Sequence, residues 1–225
     1  MSTKQTVWLG LALLVLGALI AAFGFAGNPM PNQAVAAETA KAAAQPAEGL
    51  ELATFGSGCF WCTESDFDKV AGVVSTISGY MGGKTQNPTY KSVSSGTTGH
   101  AEVLQVAFDP NQVTYKQLLD HYWRTTDIID GGGQFCDRGS QYRPVIFAHT
   151  PEQKRLAETG LKAIDDSKRF DKPVAVEIAD AAPFTPAEDY HQDYYKKNPN
   201  RYAYYRFGCG RDRRIKQLWG EVVTH

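Results

Sequence analysis

Apolar residues are distributed along this chain in three different ways. Val7 to Ala26 is an unbroken apolar run of 20 residues. Asn28 to Gly49 is rich in Ala, Pro, Gln and Glu and carries no sustained periodicity. From Leu50 onward, short stretches with period two alternate with stretches of helical period, as expected of a folded domain.

Within that domain Leu52 to Phe55 reads as a strand that passes through Gly56 and Gly58 into Cys59, after which Phe67 and Val70 share one helical face. Val73 to Tyr80 alternates and ends at Gly79-Tyr80-Met81-Gly82-Gly83. Ala101 to Phe108 alternates more clearly and stops at Asp109-Pro110. Thr114 is placed as an N-cap, with Gln117 closing a capping box and Val113 and Leu118 forming a hydrophobic staple. Leu118, Leu119, Tyr122 and Trp123 give that helix its apolar face. Val145 to Ala148 is a short strand, and Thr150-Pro151-Glu152-Gln153 opens another helix with the same box and Pro at its first turn. Ala157, Leu161 and Ile164 form its stripe, Val174 to Ile178 is a last strand, and the segment beyond Tyr195 reads as irregular. The pattern predicts an α+β fold, a two-layer sandwich of helices on a mixed or antiparallel sheet, rather than a doubly wound parallel sheet.

Composition narrows the picture. Removing the non-globular N-terminus from the 225 residues leaves about 175, enough for one domain with a sizeable core. A net charge of -1 gives no general case for nucleic acid. The apolar run is long enough to cross a bilayer and is preceded only by Lys4 and the α-amino group. It predicts a signal peptide or membrane anchor over 1–27, a disordered linker over 28–49, and a globular domain over 50–225 on the extracytoplasmic or periplasmic side. Gly24-Phe25-Ala26 and Ala34-Val35-Ala36 both fit a cleavage site.

The candidate chemistry centres on Gly58-Cys59-Phe60-Trp61-Cys62. A lone cysteine flanked by aromatics is more often core than catalytic. Here two glycines precede it and a second cysteine follows at the next helical turn, which favours function. At a helix N-terminus the thiolate of Cys59 should be more populated than in a free thiol. Phe60 and Trp61 are placed to wall a pocket for an apolar or sulfur-containing substrate. Glu102 opens an otherwise apolar strand, where burial would raise its pKa towards that of a general acid. Gly131 to Arg143 is a glycine-rich loop carrying Cys136, Asp137 and Tyr142, of a kind that usually bears function in a compact domain. The cysteines at 59, 62, 136 and 209 admit two structural bridges or a zinc site built on Cys59-x-x-Cys62. Cys209, between Gly208 and Gly210, has the backbone freedom to swing to another site.

Gly58-Cys59-Phe60-Trp61, Gly79-Tyr80-x-Gly82-Gly83, Asn87-Pro88-Thr89-Tyr90, Gly99-His100-Ala101-Glu102, Asp137-x-Gly139-Ser140-Gln141-Tyr142-Arg143 and Ala187-Glu188-Asp189-Tyr190-His191-Gln192 occur in that order. Together, from about Leu52 to Trp219, they resemble the peptide-methionine sulfoxide reductases of the A type. The resemblance implies a sandwich related to the ferredoxin-like plait and reduction of methionine S-sulfoxide, free or in proteins. Cys59 would be the nucleophile and Glu102 the proton donor, with Tyr80 and Tyr142 on the sulfoxide oxygen. Phe60 and Trp61 would cage the methyl group, and Asp137 would help set substrate and water positions. It implies no metal or organic cofactor, a sulfenic acid on Cys59, and a disulfide closed by Cys209 or Cys62 and reduced by an external thioredoxin-like partner. The expected enzyme repairs oxidised exported proteins as a monomer. Cys136 is expected to be a thiol lining the site. Two other classes compete: a thioredoxin-type thiol-disulfide oxidoreductase using Cys59 and Cys62 without Glu102, and an anchored, zinc- or disulfide-stabilised module.

Overall fold

The computed structural model of the protein describes residues 47–221, so the predicted signal or anchor over 1–27 and most of the linker over 28–49 lie outside the described residues. Among the described residues no helix is long and apolar enough to cross a membrane.

The chain opens with β1 (Glu51–Ser57) and turns at Cys59 into α1 (Phe60–Phe67). It continues through β2 (Val73–Met81), α2 (Tyr90–Ser94), β3 (Ala101–Phe108) and α3 (Tyr115–Thr125). A small hairpin of β4 (Gly133–Gln134) and β5 (Asp137–Arg138), then a single 3-10 turn at Ser140–Tyr142, precede β6 (Pro144–Ala148) and α4 (Pro151–Asp166). β7 (Glu177–Asp180) and β8 (Thr185–Pro186) complete the main sheet. The C-terminal part holds α5 (Tyr194–Lys197), α6 (Pro199–Cys209) and α7 (Arg211–Trp219).

The main sheet has the order β7-β6-β1-β3-β2-β8, antiparallel throughout except for β6 beside β7. β1 is central, pairing Phe55 with Leu104 on one side and with Ile146 on the other. Both edges of the strand that delivers Cys59 are therefore fixed. One face of the sheet, with Phe55, Leu104, Val106 and Ile146, packs against Phe67 of α1, Leu118 and Tyr122 of α3 and Ala157 of α4. Phe55 lies at its centre, its ring 4.9 Å from that of Phe67 and 5.2 Å from that of Tyr122. Full burial of such a ring is worth about 2–3 kcal/mol. The opposite face, with Val103, Val145 and Phe147, is covered by Ala181, Ala182 and Phe184 instead of a helix. This is the expected two-layer α+β sandwich.

The boxed N-terminus at Thr114 and Gln117 forms as expected. At Thr150 only half of it forms: the hydroxyl accepts from Gln153 N, while the Gln153 side chain accepts from His149 N and donates to Leu52 O. The strand expected over Val174 to Ile178 lies at Glu177–Asp180, because Val174 and Val176 turn into the core below the sheet, and the short β8 follows it. The C-terminal segment is helical rather than irregular. α5 and α6 attach through polar anchors and carry little apolar periodicity: Glu64 accepts from Asp193 N where the chain turns at φ 53°, and Arg206 pairs with Asp66 at 2.8 Å. Gly210, at φ 69°, ends α6 and lets α7 begin at once in a new direction.

Candidate active site

β1 arrives at Cys59 through two close approaches. A Cβ on Gly56 would lie 2.7 Å from Val145 Cγ1, and one on Gly58, whose φ is +85°, would lie 2.5 Å from Gln134 Cβ. Only glycine fits either position without a shift. Behind the turn, Arg211 of α7 is 2% exposed and donates to Ser57 O at 3.0 Å, Ser57 Oγ at 3.1 Å and Thr125 O at 2.8 Å. Cys59 is the N-cap of α1, and its carbonyl accepts from Cys62 N at 3.0 Å.

Cys59 borders a cavity of about 60 Å³ with Phe60, Trp61, Tyr90, Glu102, Asp137, Tyr142 and Tyr205. That is room for the end of a side chain, not a whole one. Trp61 is held by stacking on Tyr194 at 3.6 Å and by donating from Nε1 to His191 Nδ1 at 2.9 Å. Burial lowers His191 to about 4, so it stays neutral and can accept that bond. Tyr205 stands edge-on to Trp61 and donates from its hydroxyl to Asp137 Oδ2. Asp137 is pushed up by burial.

Glu102 lies in the strand row of Leu104 and Val106, on the helix-covered face, with Oε2 accepting from Phe60 N at 3.2 Å. Burial moves it from the ordinary 4.5 to about 8, against the lowering effect of that hydrogen bond. At neutral pH it is mostly a neutral acid. Cys59 is also neutral: burial raises it, and Cys62, Glu102 and Asp137 add to the rise. The expectation of a more populated thiolate is thereby corrected. A helix terminus offers roughly 0.3–1 kcal/mol, too little to offset removal of the sulfur from water among acidic neighbours. A neutral thiol facing a neutral acid holds two protons beside one small cavity, which suits transfer of an oxygen that must gain protons as it moves.

The sequence-predicted residues Cys59, Phe60, Trp61, Glu102, Asp137 and Tyr142 all meet at this cavity. Tyr80 does not. Its side chain is completely buried behind Phe60, and its hydroxyl donates to Glu188 Oε2 at 2.9 Å. Tyr90 lines the cavity in its place, fixed by donation from its backbone N to Glu188 Oε1 at 2.9 Å and raised by burial to about 12. Tyr90 and Tyr205 escaped the sequence reading. Tyr90 ends the Asn87-Pro88-Thr89-Tyr90 motif, where a side chain leading a helix after a proline turn was a usable signal; Tyr205 had none, being one of a run of tyrosines.

Cys59 and Cys62 are free and buried, 8% and 2% exposed. Cys136 and Cys209 form a disulfide with a Cα–Cα distance of 4.9 Å. Cys136 is thus bonded rather than a free thiol lining the cavity. The Sγ atoms of Cys136 and Cys209 lie 3.8 Å and 4.0 Å from the Asp137 carboxylate. Among the described residues these three form the one group of metal-ligating type, which Cys59 and Cys62 do not join. With its two sulfurs bonded to each other, that group lacks thiolate ligands.

Fold and cavity together define a thiol-based oxidoreductase for a small side-chain end. The family model described as "Peptide methionine sulfoxide reductase" matches residues 51–223, and the chain belongs to that family. The peptide methionine sulfoxide reductase MsrA of Bacillus licheniformis is 51% identical over 174 residues, covering 77% of this chain and 96% of the relative. MsrA/MsrB of Vibrio cholerae is 55% identical over 170 residues, covering 76% of this chain but 45% of that longer relative, so the chain spans less than half its length. Among solved structures, yeast Mxr1 in reduced form aligns with TM-score 0.64 and 33% identity over 68% of this chain and 88% of its own. Methionine sulfoxide reductase A of Corynebacterium diphtheriae gives 0.61 and 33% over 70% of this chain and 78% of its own.

Proposed function

We propose that this chain reduces methionine S-sulfoxide, free or in proteins, to methionine. The observation that carries the reading is the protonated Glu102 facing the Cys59 thiol across an aromatic-walled cavity of about 60 Å³. Phe60 and Trp61 hold the methyl group, and Glu102 and the hydroxyls of Tyr90 and Tyr142 hydrogen-bond the sulfoxide oxygen. Asp137, with Tyr205, fixes the far wall. As the oxygen gains its protons, Cys59 sulfur attacks, methionine leaves, and Cys59 becomes a sulfenic acid. A neighbouring thiol, Cys209 or Cys62, then closes a disulfide and releases water. No metal or organic cofactor takes part, and a thioredoxin-like dithiol restores the thiols. The apolar run over 7–26 supports an exported or membrane-anchored enzyme on the extracytoplasmic side that repairs oxidised proteins there.

A thioredoxin-type exchange enzyme fits less well, because its attacking thiol is exposed and shifted down, whereas Cys59 is buried and shifted up. The test is dithiothreitol-supported reduction of the two sulfoxide diastereomers of a blocked methionine, with Cys59→Ser alongside. Conversion of the S form alone, lost in the variant, supports the reading. Absence of conversion by folded, reduced protein overturns it.

A further inference from the structure

The loop Ala187 to Gln192 contributes no side chain to the cavity lining, yet it lies directly behind the rings that do. It is clamped to β2, where the Gln192 side chain accepts from Ser78 N at 2.9 Å and donates to Ser78 O at 2.8 Å. From that fixed base His191, 1% exposed, packs its imidazole 5.0 Å from the ring of Phe60, 5.7 Å from Trp61 and 4.4 Å from Tyr90. One side chain outside the cavity thus touches three of its walls. Its two nitrogens are used unequally. An indole N–H can only donate, so Nδ1 accepts from Trp61 Nε1 and the single proton of the neutral ring sits on Nε2. Among the described residues Nε2 is buried without a hydrogen-bond partner. An unpaired N–H in the interior works against folding, and an apolar ring would fill the same space without it. The imidazole therefore supplies something that packing does not, an acceptor for Trp61. The other main contact of Trp61 is its stack on Tyr194, the rings 3.6 Å apart and 4° from parallel. A stack fixes the plane of the indole and leaves it free to slide and turn within that plane. The Nδ1 bond, directional and at one edge of the ring, removes that freedom.

We propose that His191 is a positioning residue that sets the methyl specificity of the site, by holding Trp61 within its plane at the width of an S-methyl group. The proposal rests on the reading above in which Phe60 and Trp61 hold the methyl group of the sulfoxide. In a cavity of about 60 Å³ an extra methylene has nowhere to go unless a wall moves. Turning of Trp61 on Tyr194 is the movement that would admit it, and the bond to His191 opposes that turn. Burial keeps the imidazole neutral, so the acceptor is present throughout the neutral pH range.

The test is competition between blocked methionine S-sulfoxide and blocked ethionine S-sulfoxide, mixed in equal amounts and reduced by the full-length chain with dithiothreitol. The ratio of thioether products reports relative kcat/KM, and it depends neither on how much of a variant is folded nor on which later step limits turnover. His191→Phe keeps a ring against Phe60 and Tyr90 and removes the acceptor, with His191→Leu as a second variant lacking it. His191→Asn loses the ring and keeps an oxygen near the Nδ1 position. The unmodified chain should favour the methyl substrate at least about tenfold, the discrimination one methylene brings in a close-fitting pocket. The acceptor-free variants should bring this below about threefold, and His191→Asn should retain it. An unchanged ratio in the acceptor-free variants overturns the proposal, as does equal relaxation in His191→Asn, which would assign the effect to packing. Equal use of the two substrates by the unmodified chain, or a folded His191→Phe that reduces neither, overturns it too. If the unmodified chain reduces neither sulfoxide, it is the reductase reading that fails.

Discussion

The two cysteine pairs of this protein are built in opposite ways. Cys59 and Cys62 are one helical turn apart, buried, and free thiols, placed by a strand pinned on both edges. Cys136 and Cys209 are 73 residues apart, bonded at the surface, and placed by a small hairpin and by the last residue of a helix that attaches through ion pairs. The inner pair is held by apolar packing and close backbone approach. The outer pair is held by charge, so the protein keeps a rigid centre for chemistry and a polar periphery for exchange.

Glu102→Gln strikes the inner site hardest. The amide keeps the shape but donates no proton, and turnover should fall about a thousandfold, ~4 kcal/mol of transition-state stabilisation, in the dithiothreitol assay. In the unmodified enzyme the rate should decline as pH rises through about 8, where the acid ionises, and this limb should vanish in the variant. The same group makes stability fall with pH. Its folded pKa is raised, so its contribution is full below 4.5 and is lost as pH climbs through 8, a slope visible in urea titrations.

Arg211→Met ranks next, because Arg211 joins the two regions, reaching from α7 to Ser57 O and to Asp66 Oδ2 at 3.4 Å. Leaving Asp66 buried with Arg206 alone should cost about 3 kcal/mol by urea unfolding. If only the C-terminal helices loosened while the Cys59 turn kept its stability, the view of Arg211 as the joint would fail. Gly58→Ala should cost about 2 kcal/mol, since it strains a backbone at φ +85° and presses on Gln134. Activity should fall with it as Cys59 shifts. Tyr205→Phe should have the smallest effect, roughly tenfold in kcat/KM, by freeing the Asp137 carboxylate from its hydroxyl. An unchanged rate would mean that Asp137 is set by the disulfide loop alone.

How far each region was legible follows from the same contrast. The inner half could be read because its signals are local: period two in β1 and β3, the Thr114 cap, glycines on either side of Ser57, an acid at the head of an apolar strand. The exchange of Tyr80 for Tyr90 could not, since both are set by Glu188, some hundred residues away. The upward shift of Cys59 comes first from its burial, then from Cys62 and from acids brought in from β3 and β5, none of which a local pattern shows. α6 buries only Tyr202 and hides its anchoring in Arg206 and Asp66, so apolar periodicity gave no sign of it. The pairing of Cys136 with Cys209 has no local trace at all.

The size of the cavity bears on which oxidised proteins can be served, and when. A space of about 60 Å³ closed by five aromatic side chains and two acids has no room for a neighbouring backbone. A methionine must project into it as a free side-chain tip, from a loop, a terminus or an unfolded stretch. An oxidised methionine in a client's packed interior is out of reach until that client opens. For such clients the speed of repair is governed by their own unfolding rather than by this enzyme, and the least stable damaged proteins are restored first.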